Sequence, residues 1–113
     1  MAQQLYTYKA KLIRLIDADT YEAEIDLGFH TYTRRHLRLS AVDCPERGTI
    51  AGFRTTAAAA RWWTNNDGKA LIHVIHYDRY GRSVAEIHPS NPQSETLAAY
   101  LLKQGCKKWT GRK

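Results

Sequence analysis

Apolar and polar residues alternate along three stretches of the first 42 residues, which is the pattern of half-buried β-strands. The three stretches cover residues 6–16, 21–27 and roughly 33–42. Between the first two lies DADT at 17–20, whose Asp and Thr residues predict a hairpin turn. The first half of the chain is therefore predicted to be mainly β.

After residue 48 the apolar residues recur at spacings of three and four, as they do on one face of a helix. The residues that define this face are Phe53, Ala57, Ala60 and Trp63. Two further strands are predicted at 70–77 and 82–88, on either side of the turn DRYGR at 78–82. A second helix is predicted to open at the Asn91-Pro92 start signal or at a Ser94 cap and to end at Gly105, with Leu97, Tyr100 and Leu101 as its apolar stripe.

The predicted order β-β-β-α-β-β-α cannot form a parallel α/β fold. A short, strongly bent antiparallel sheet that closes on itself satisfies this order most simply. We therefore expect a mainly β protein with helices (α+β), of the OB-fold type. It would be a five-stranded Greek-key barrel with helices after strands 3 and 5. No repeat or linker divides residues 1–113, so one domain is expected.

The charge of the chain is concentrated near its C-terminus. The formal net charge is +6, and residues 96–113 carry five basic and no acidic residues. A basic tail at 103–113 could contact a polyanion such as nucleic acid, or could only keep the chain in solution.

Cysteine content and hydropathy bear on the cellular compartment of the protein. The chain has two cysteines, Cys44 and Cys106, fewer than disulfide-stapled secreted domains of this size usually carry. It also shows no secretory signal and no apolar run of membrane-spanning length. Free thiols, a cytoplasmic location and a monomer without a membrane partner are expected, although export by another route stays open.

Three polar clusters punctuate the strands. Asp17 and Asp19 offer the oxygen ligands that Ca²⁺ or Mg²⁺ prefers, although acids in a hairpin commonly bond their own backbone. The second cluster is Arg38, Asp43 and Glu46, which together supply a phosphate-binding cation and two carboxylates. The third is the turn DRYGR, whose Arg and Tyr residues could reach a phosphate or could simply be solvated.

The spacing within the second cluster conflicts with a regular strand. Strict alternation puts Asp43 on the face opposite Arg38, with Ala41 beside Leu39 and Val42 beside Arg38. Arg38 and Asp43 can converge only if the strand bends or bulges, which is common in small barrels.

Taken together, LIRLIDADT, HLRLSAVDCPE and DRYGRSVAEI resemble the staphylococcal nuclease (thermonuclease) family, from about residue 12 to residue 105. The resemblance implies an OB-fold, calcium-dependent nuclease that hydrolyses phosphodiester bonds of DNA and RNA and leaves 3′-phosphates. It implies Ca²⁺ ligation by the carboxylates of Asp19 and Asp43 and the backbone carbonyl of Cys44. Asp17 would support these ligands.

The same resemblance implies the catalytic groups. Arg38 and Arg82 would hold the scissile phosphate, and Glu46 would activate or orient the attacking water. Arg79 and Tyr80 would bind a neighbouring phosphate. The chain departs from the family pattern at Ala18, where Gly is usual, and at Cys44, where Thr is usual. If the family Gly needs a positive φ, Ala18 strains its turn.

Other functions compete with the nuclease. The main alternative is a non-catalytic OB-fold module that binds nucleic acid, which would be expected to lack some of the acids and arginines found here. A purely structural domain is the third possibility. A zinc enzyme finds no support because the five histidines form no recognised ligand spacing. Trp62, Trp63 and Phe53 are predicted to pack the helix on the barrel, and Trp109 is a candidate for stacking on a base.

Overall fold

The computed structural model describes residues 6–109, and these contain seven strands and two helices. The last residues of the predicted basic tail, including Arg112 and Lys113, lie outside this range. The elements in chain order are β1 (Thr7–Asp17), β2 (Thr20–Asp26), β3 (Tyr32–Leu39), β4 (Val42–Asp43), α1 (Ile50–Asn65), β5 (Lys69–Tyr77), β6 (Ser83–Pro89), α2 (Leu97–Lys103) and β7 (Lys107–Lys108).

Five of the strands close into a barrel in the order β1-β2-β3-β6-β5. The neighbours pair antiparallel, except for β3 and β6, which run parallel. The prediction of a mixed α+β protein built on a five-stranded barrel is confirmed at this level, and it is consistent with an OB-like barrel. A small pair of strands, β4 with β7, was not predicted.

The barrel is filled by the apolar residues on one face of the alternating strands. Small and large side chains fill it together, among them Ala10, Ala23, Ile25, Leu37, Ile72 and Ile87, each at most 4% exposed. Leu71 and Ile75 on β5 face outwards and are 41% and 48% exposed. Apolar residues on both sides of this strand therefore do not mean that both of its faces are buried.

Helix α1 begins where the side chain of Thr49 accepts a hydrogen bond from the Gly52 amide, which satisfies an otherwise unpaired helix-end donor. Its buried face carries Trp62 and Trp63, whose rings meet edge to face at 5.3 Å. The packing role predicted for the two tryptophans is confirmed. The role predicted for Phe53 is wrong, because that ring is 75% exposed.

Helix α2 begins at Leu97 with Thr96 as its capping residue, two positions after the predicted Ser94 cap. Leu97 and Leu101 are fully buried, as the predicted stripe requires, and Tyr100 is half-buried. The indole Nε1 of Trp62 donates to the Glu95 carbonyl at 2.8 Å, so the segment before α2 is tied to α1.

The third predicted strand is interrupted. It ends at Leu39, and residues 40–41 form a turn in which Ala41 has a φ of +69°. The turn shifts the alternation by one position, so that Val42 is buried and Ala41 exposed. The predicted faces of these two residues were therefore wrong. The turn has a positive φ at Ala41, and such a turn is usually signalled in a sequence by Gly, which is absent here.

The two cysteines are joined in a disulfide, which contradicts the prediction of free thiols. The bond links Cys44, just after β4, to Cys106, just before β7, across 62 positions of sequence. Cysteine number could not reveal this, because one pair is compatible with either state. A reducing compartment is thus no longer an argument for a cytoplasmic location.

The described part of the chain contains no helix that is both long and apolar enough to cross a membrane.

Candidate active site

The barrel register brings the three polar clusters to one place. Thr20, at the end of the DADT turn, lies opposite Arg38 on β3. On its other side Arg38 lies opposite Val84 on β6, the strand that follows the DRYGR turn. Arg38 is therefore the point where three segments separated in sequence become neighbours.

The DADT segment forms a tight hairpin, as predicted, with Asp17 opposite Thr20. Ala18 is buried and does not have a positive φ, so the strain considered for this position does not arise. The hydroxyl of Tyr21, a fully buried residue, donates to the Ala18 carbonyl and supports the turn from inside the barrel.

Asp19 is buried at 9% exposure and its carboxylate accepts contacts from three directions. Oδ2 lies 3.4 Å from Nη1 of Arg38 and accepts the backbone N–H of Cys44 at 3.1 Å. Oδ1 accepts the Thr20 hydroxyl at 3.3 Å. One carboxylate thus ties the hairpin to the strand and to the segment after β4.

Arg38 is also nearly buried, with 8% exposure. Its Nη1 donates to the Leu39 carbonyl at 2.8 Å, and its Nη2 lies 3.9 Å from Oδ1 of Asp43. The turn at 40–41 makes this second contact possible, because it removes the strict alternation that would separate the two side chains. Its guanidinium carbon lies 5.3 Å from the ring centre of Trp109, a cation–π distance.

The charges of Asp19 and Arg38 also affect the pKa of Tyr21. Burial of its ring raises the pKa of the Tyr21 phenol well above its ordinary value. The negative charge of Asp19 raises the pKa further, and Arg38 opposes both effects. The phenol therefore stays protonated and keeps its donor role under the Ala18 carbonyl.

The DRYGR turn is organised by Asp78, whose importance the sequence did not reveal. Its Oδ1 accepts the backbone N–H groups of Tyr80 and Arg82, both at 2.9 Å. Its Oδ2 accepts Nε of Arg82 at 2.6 Å. The guanidinium carbons of Arg79 and Arg82 lie 5.6 and 5.3 Å from the Tyr80 ring centre. Two cations and an aromatic ring are thus held in one short turn.

Burial alone would raise the pKa of Asp78, but its hydrogen bonds outweigh burial and the pKa is lowered below its ordinary value. The backbone and side chain of Arg82 and the backbone of Tyr80 supply these bonds. The carboxylate is therefore charged over the whole neutral range and fixes the Nε side of Arg82.

A cleft of about 420 Å³ lies between the turn and the barrel. Its lining includes the predicted site residues Arg38, Asp43, Arg79, Tyr80 and Arg82. Trp109, the candidate for base stacking, also lines it, as do His76, Asp78 and Val84, which were not among the predicted site residues. His76 and Val84 are brought to the cleft by the pairing of β5 with β6, and the residues around each of them in sequence do not reveal this pairing. A second cavity, of about 530 Å³ beside Lys9 and Lys69, contains none of the predicted site residues.

Asp17, Asp19, Cys44 and Glu46 do not line the cleft. Asp19 contacts Arg38, which lines the cleft, but does not line the cleft itself. Glu46 is exposed on the segment between β4 and α1. This segment is held by the carbonyl of Glu46, which accepts the Thr49 hydroxyl at 2.8 Å. A Cβ at Gly52 would overlap that carbonyl, so only Gly allows α1 to approach so closely.

The donor chemistry at Asp19, Asp43 and Cys44 fits Ca²⁺ in kind, since carboxylate and carbonyl oxygens are its preferred ligands. The two carboxylates converge on one guanidinium, which places them near each other. Within residues 6–109, no cluster of three or more His, Cys, Asp or Glu side chains could hold a metal ion. A Ca²⁺ ion here would therefore take much of its coordination from backbone and water.

No protein-family model matches this chain, and no curated protein matches it either.

Proposed function

We propose that this protein is a calcium-dependent nuclease that hydrolyses phosphodiester bonds of DNA and RNA, built on an OB-fold with Greek-key connections. The observation that carries the proposal is the shared cleft of Arg38, Asp43 and Arg82, where the β3–β4 segment and the DRYGR turn meet through the register of β3 and β6. Two guanidinium groups in a cleft suit a phosphodiester because each can donate two parallel hydrogen bonds to phosphate oxygens.

In this proposal the arginines of the cleft bind the phosphates of the substrate. Arg38 and Arg82 bind the non-bridging oxygens of the scissile phosphate and stabilise the charge that develops in the transition state. Within residues 6–109 the terminal amino groups of Arg82 have no hydrogen-bond or ion-pair partner, because its Asp78 contact uses Nε. Arg79 and Tyr80, which are both exposed, bind the next phosphate along the strand.

Glu46 accepts a proton from the attacking water, whose oxygen forms the new bond to phosphorus while the bond to the 5′ oxygen breaks. The departing 5′ oxygen takes up a proton from solvent, and Glu46 later releases its proton to solvent, so the products are a 3′-phosphate and a free 5′-hydroxyl. Asp19, Asp43 and the carbonyl of Cys44 would hold Ca²⁺, with Asp17 in support. When bound, Ca²⁺ shares the negative charge of the phosphate in the transition state.

A non-catalytic module that binds nucleic acid is the second candidate, and two observations favour it. Arg38 is already engaged by two carboxylates, and Glu46 does not line the cleft. In such a module the cleft would bind the backbone of a strand and the water-activating group would be absent from it.

The experiment that separates the two is incubation of the purified chain with a single-stranded oligonucleotide, in Ca²⁺ and in EDTA. The nuclease cleaves in Ca²⁺ only and leaves 3′-phosphate ends. Equal cleavage in both solutions contradicts the metal role. Binding without cleavage in either solution identifies the module.

A further inference from the structure

The segment from Cys106 to Trp109 is fastened along the edge of the candidate active site by three separate attachments. The disulfide joins Cys106 to Cys44, with their Cα atoms 4.3 Å apart. Strand β7 then pairs antiparallel with β4, with Lys107 opposite Asp43. Last, the backbone N–H of Trp109 donates to the Ala41 carbonyl at 2.9 Å.

These attachments all hold the segment against the residues that shape the cleft. Asp43 belongs to β4, and Ala41 belongs to the turn that lets Asp43 reach Arg38. The indole of Trp109 ends up 5.3 Å from the guanidinium carbon of Arg38, and both residues line the cleft. An aromatic face beside a guanidinium attracts it and limits the orientations of its planar fork.

We propose that Trp109 is a positioning residue for Arg38, and that the Cys44–Cys106 disulfide keeps it in place, so that phosphodiester binding depends on the oxidation state of the chain. The proposal rests on the proposed function for its consequence in catalysis. The positioning of Arg38 itself is a property of the fold and holds for a binding module as well.

Reduction by a dithiol follows ordinary exchange chemistry. One thiolate of the reagent attacks a protein sulfur, the Cys44–Cys106 bond breaks, and a mixed disulfide forms. The second thiol of the reagent displaces the protein sulfur. Two electrons and two protons pass to the protein, which gains two thiols while the reagent becomes a cyclic disulfide. The attachments that remain are the pairing of two residues on each strand and the Trp109 N–H bond to the Ala41 carbonyl, and so short a ladder is marginal in water.

The test uses the full chain, oxidised or treated with dithiothreitol, with an oligonucleotide substrate in Ca²⁺. Trp109→Ala is expected to lower kcat/KM about 10-fold, because Arg38 loses its fixed orientation. Trp109→Phe should restore most of it, since a phenyl ring also presents a face. Phe29→Ala is the matched control, because that ring is 98% exposed and does not line the cleft.

Dithiothreitol should lower kcat/KM of the wild type by a similar factor but leave kcat/KM of Trp109→Ala unchanged. Reduction and the substitution both remove the contact of Trp109 with Arg38, so their effects should not add. The double variant Cys44→Ser with Cys106→Ser should match the reduced wild type. A reagent effect of equal size in the wild type and in Trp109→Ala would overturn the link between the disulfide and Trp109.

A second readout is independent of cleavage. The Nε–H signal of Arg38 in a ¹⁵N spectrum is expected to carry a ring-current shift that disappears on reduction and in Trp109→Ala. If no variant cleaves but this signal moves, the positioning role stands and the proposed function fails. If the wild type cleaves but the signal and kcat/KM survive both treatments, the positioning role is wrong.

Discussion

Oδ2 of Asp19 lies 3.4 Å from Nη1 of Arg38, and their side chains are only 12% and 10% exposed. The pair joins the β1–β2 hairpin to β3 at the point where the cleft begins. Because it is nearly buried, each charge depends on the other and on the hydrogen bonds around it.

Asp19→Asn tests that dependence. The amide removes the charge that compensates Arg38, and the free energy of unfolding should fall by about 3 kcal/mol, typical of a broken buried pair. Chemical denaturation measures the change. Asp67→Asn is the matched control, because Asp67 is exposed with a φ of +57°, which Asn tolerates. Equal stability of the two variants would contradict the role given to Asp19.

Asp78 predicts a specific pH dependence. Its pKa is lower in the folded chain than in the unfolded one, so its stabilising contribution is fully present above the unfolded pKa. The contribution is lost as the pH falls through the lower folded pKa. The difference in unfolding free energy between the wild type and Asp78→Asn should therefore be constant from neutral pH to about pH 5 and shrink below about pH 4. A difference that grows in acid would refute this assignment.

Gly52→Ala separates helix propensity from packing. Ala is favoured over Gly in a helix interior by about 1 kcal/mol, yet this variant should be less stable than the wild type, because its Cβ overlaps the Glu46 carbonyl. The displaced segment carries Glu46, so cleavage should fall as well.

The neighbouring Ala51→Gly is the control for that variant. Ala51 is exposed, and its change should lower stability by no more than about 1 kcal/mol and leave cleavage unchanged. Thermal unfolding and the oligonucleotide assay measure both. A Gly52→Ala protein that is more stable and equally active would show that the close approach of α1 has no role.

The sequence predicted the elements that depend on local patterns. Alternation identified β1, β2 and β3, the runs on either side of the DRYGR turn identified β5 and β6, and the two tryptophans were correctly expected to pack α1 on the barrel. The family resemblance grouped Arg38, Asp43, Arg79, Tyr80 and Arg82, all of which line one cleft, but it also named Asp17, Asp19, Cys44 and Glu46, which do not. Short-range periodicity was sufficient for the strands and the helix packing, whereas the grouping of site residues was implied by the resemblance.

What the sequence did not predict depends on contacts between distant segments. The disulfide spans 62 positions, and the pairing of β4 with β7 brings Trp109 to Arg38. The turn at Ala41 was missed because Ala rarely adopts a positive φ, and the exposure of Phe53 because helical spacing does not define the buried face by itself. Asp78 was missed because its partners lie in its own turn, where an acid commonly bonds the backbone.

The most direct test of the central claim compares Arg82→Ala with Arg61→Ala in an oligonucleotide cleavage assay with Ca²⁺. Both changes remove one positive charge, but Arg82 lines the cleft, whereas Arg61 is exposed on α1 and does not. If the cleft is the catalytic site, kcat should fall by about 100-fold or more in Arg82→Ala, as when one transition-state donor is lost, and stay unchanged in Arg61→Ala. Equal activity of the two variants, or no cleavage by the wild type, would contradict the account.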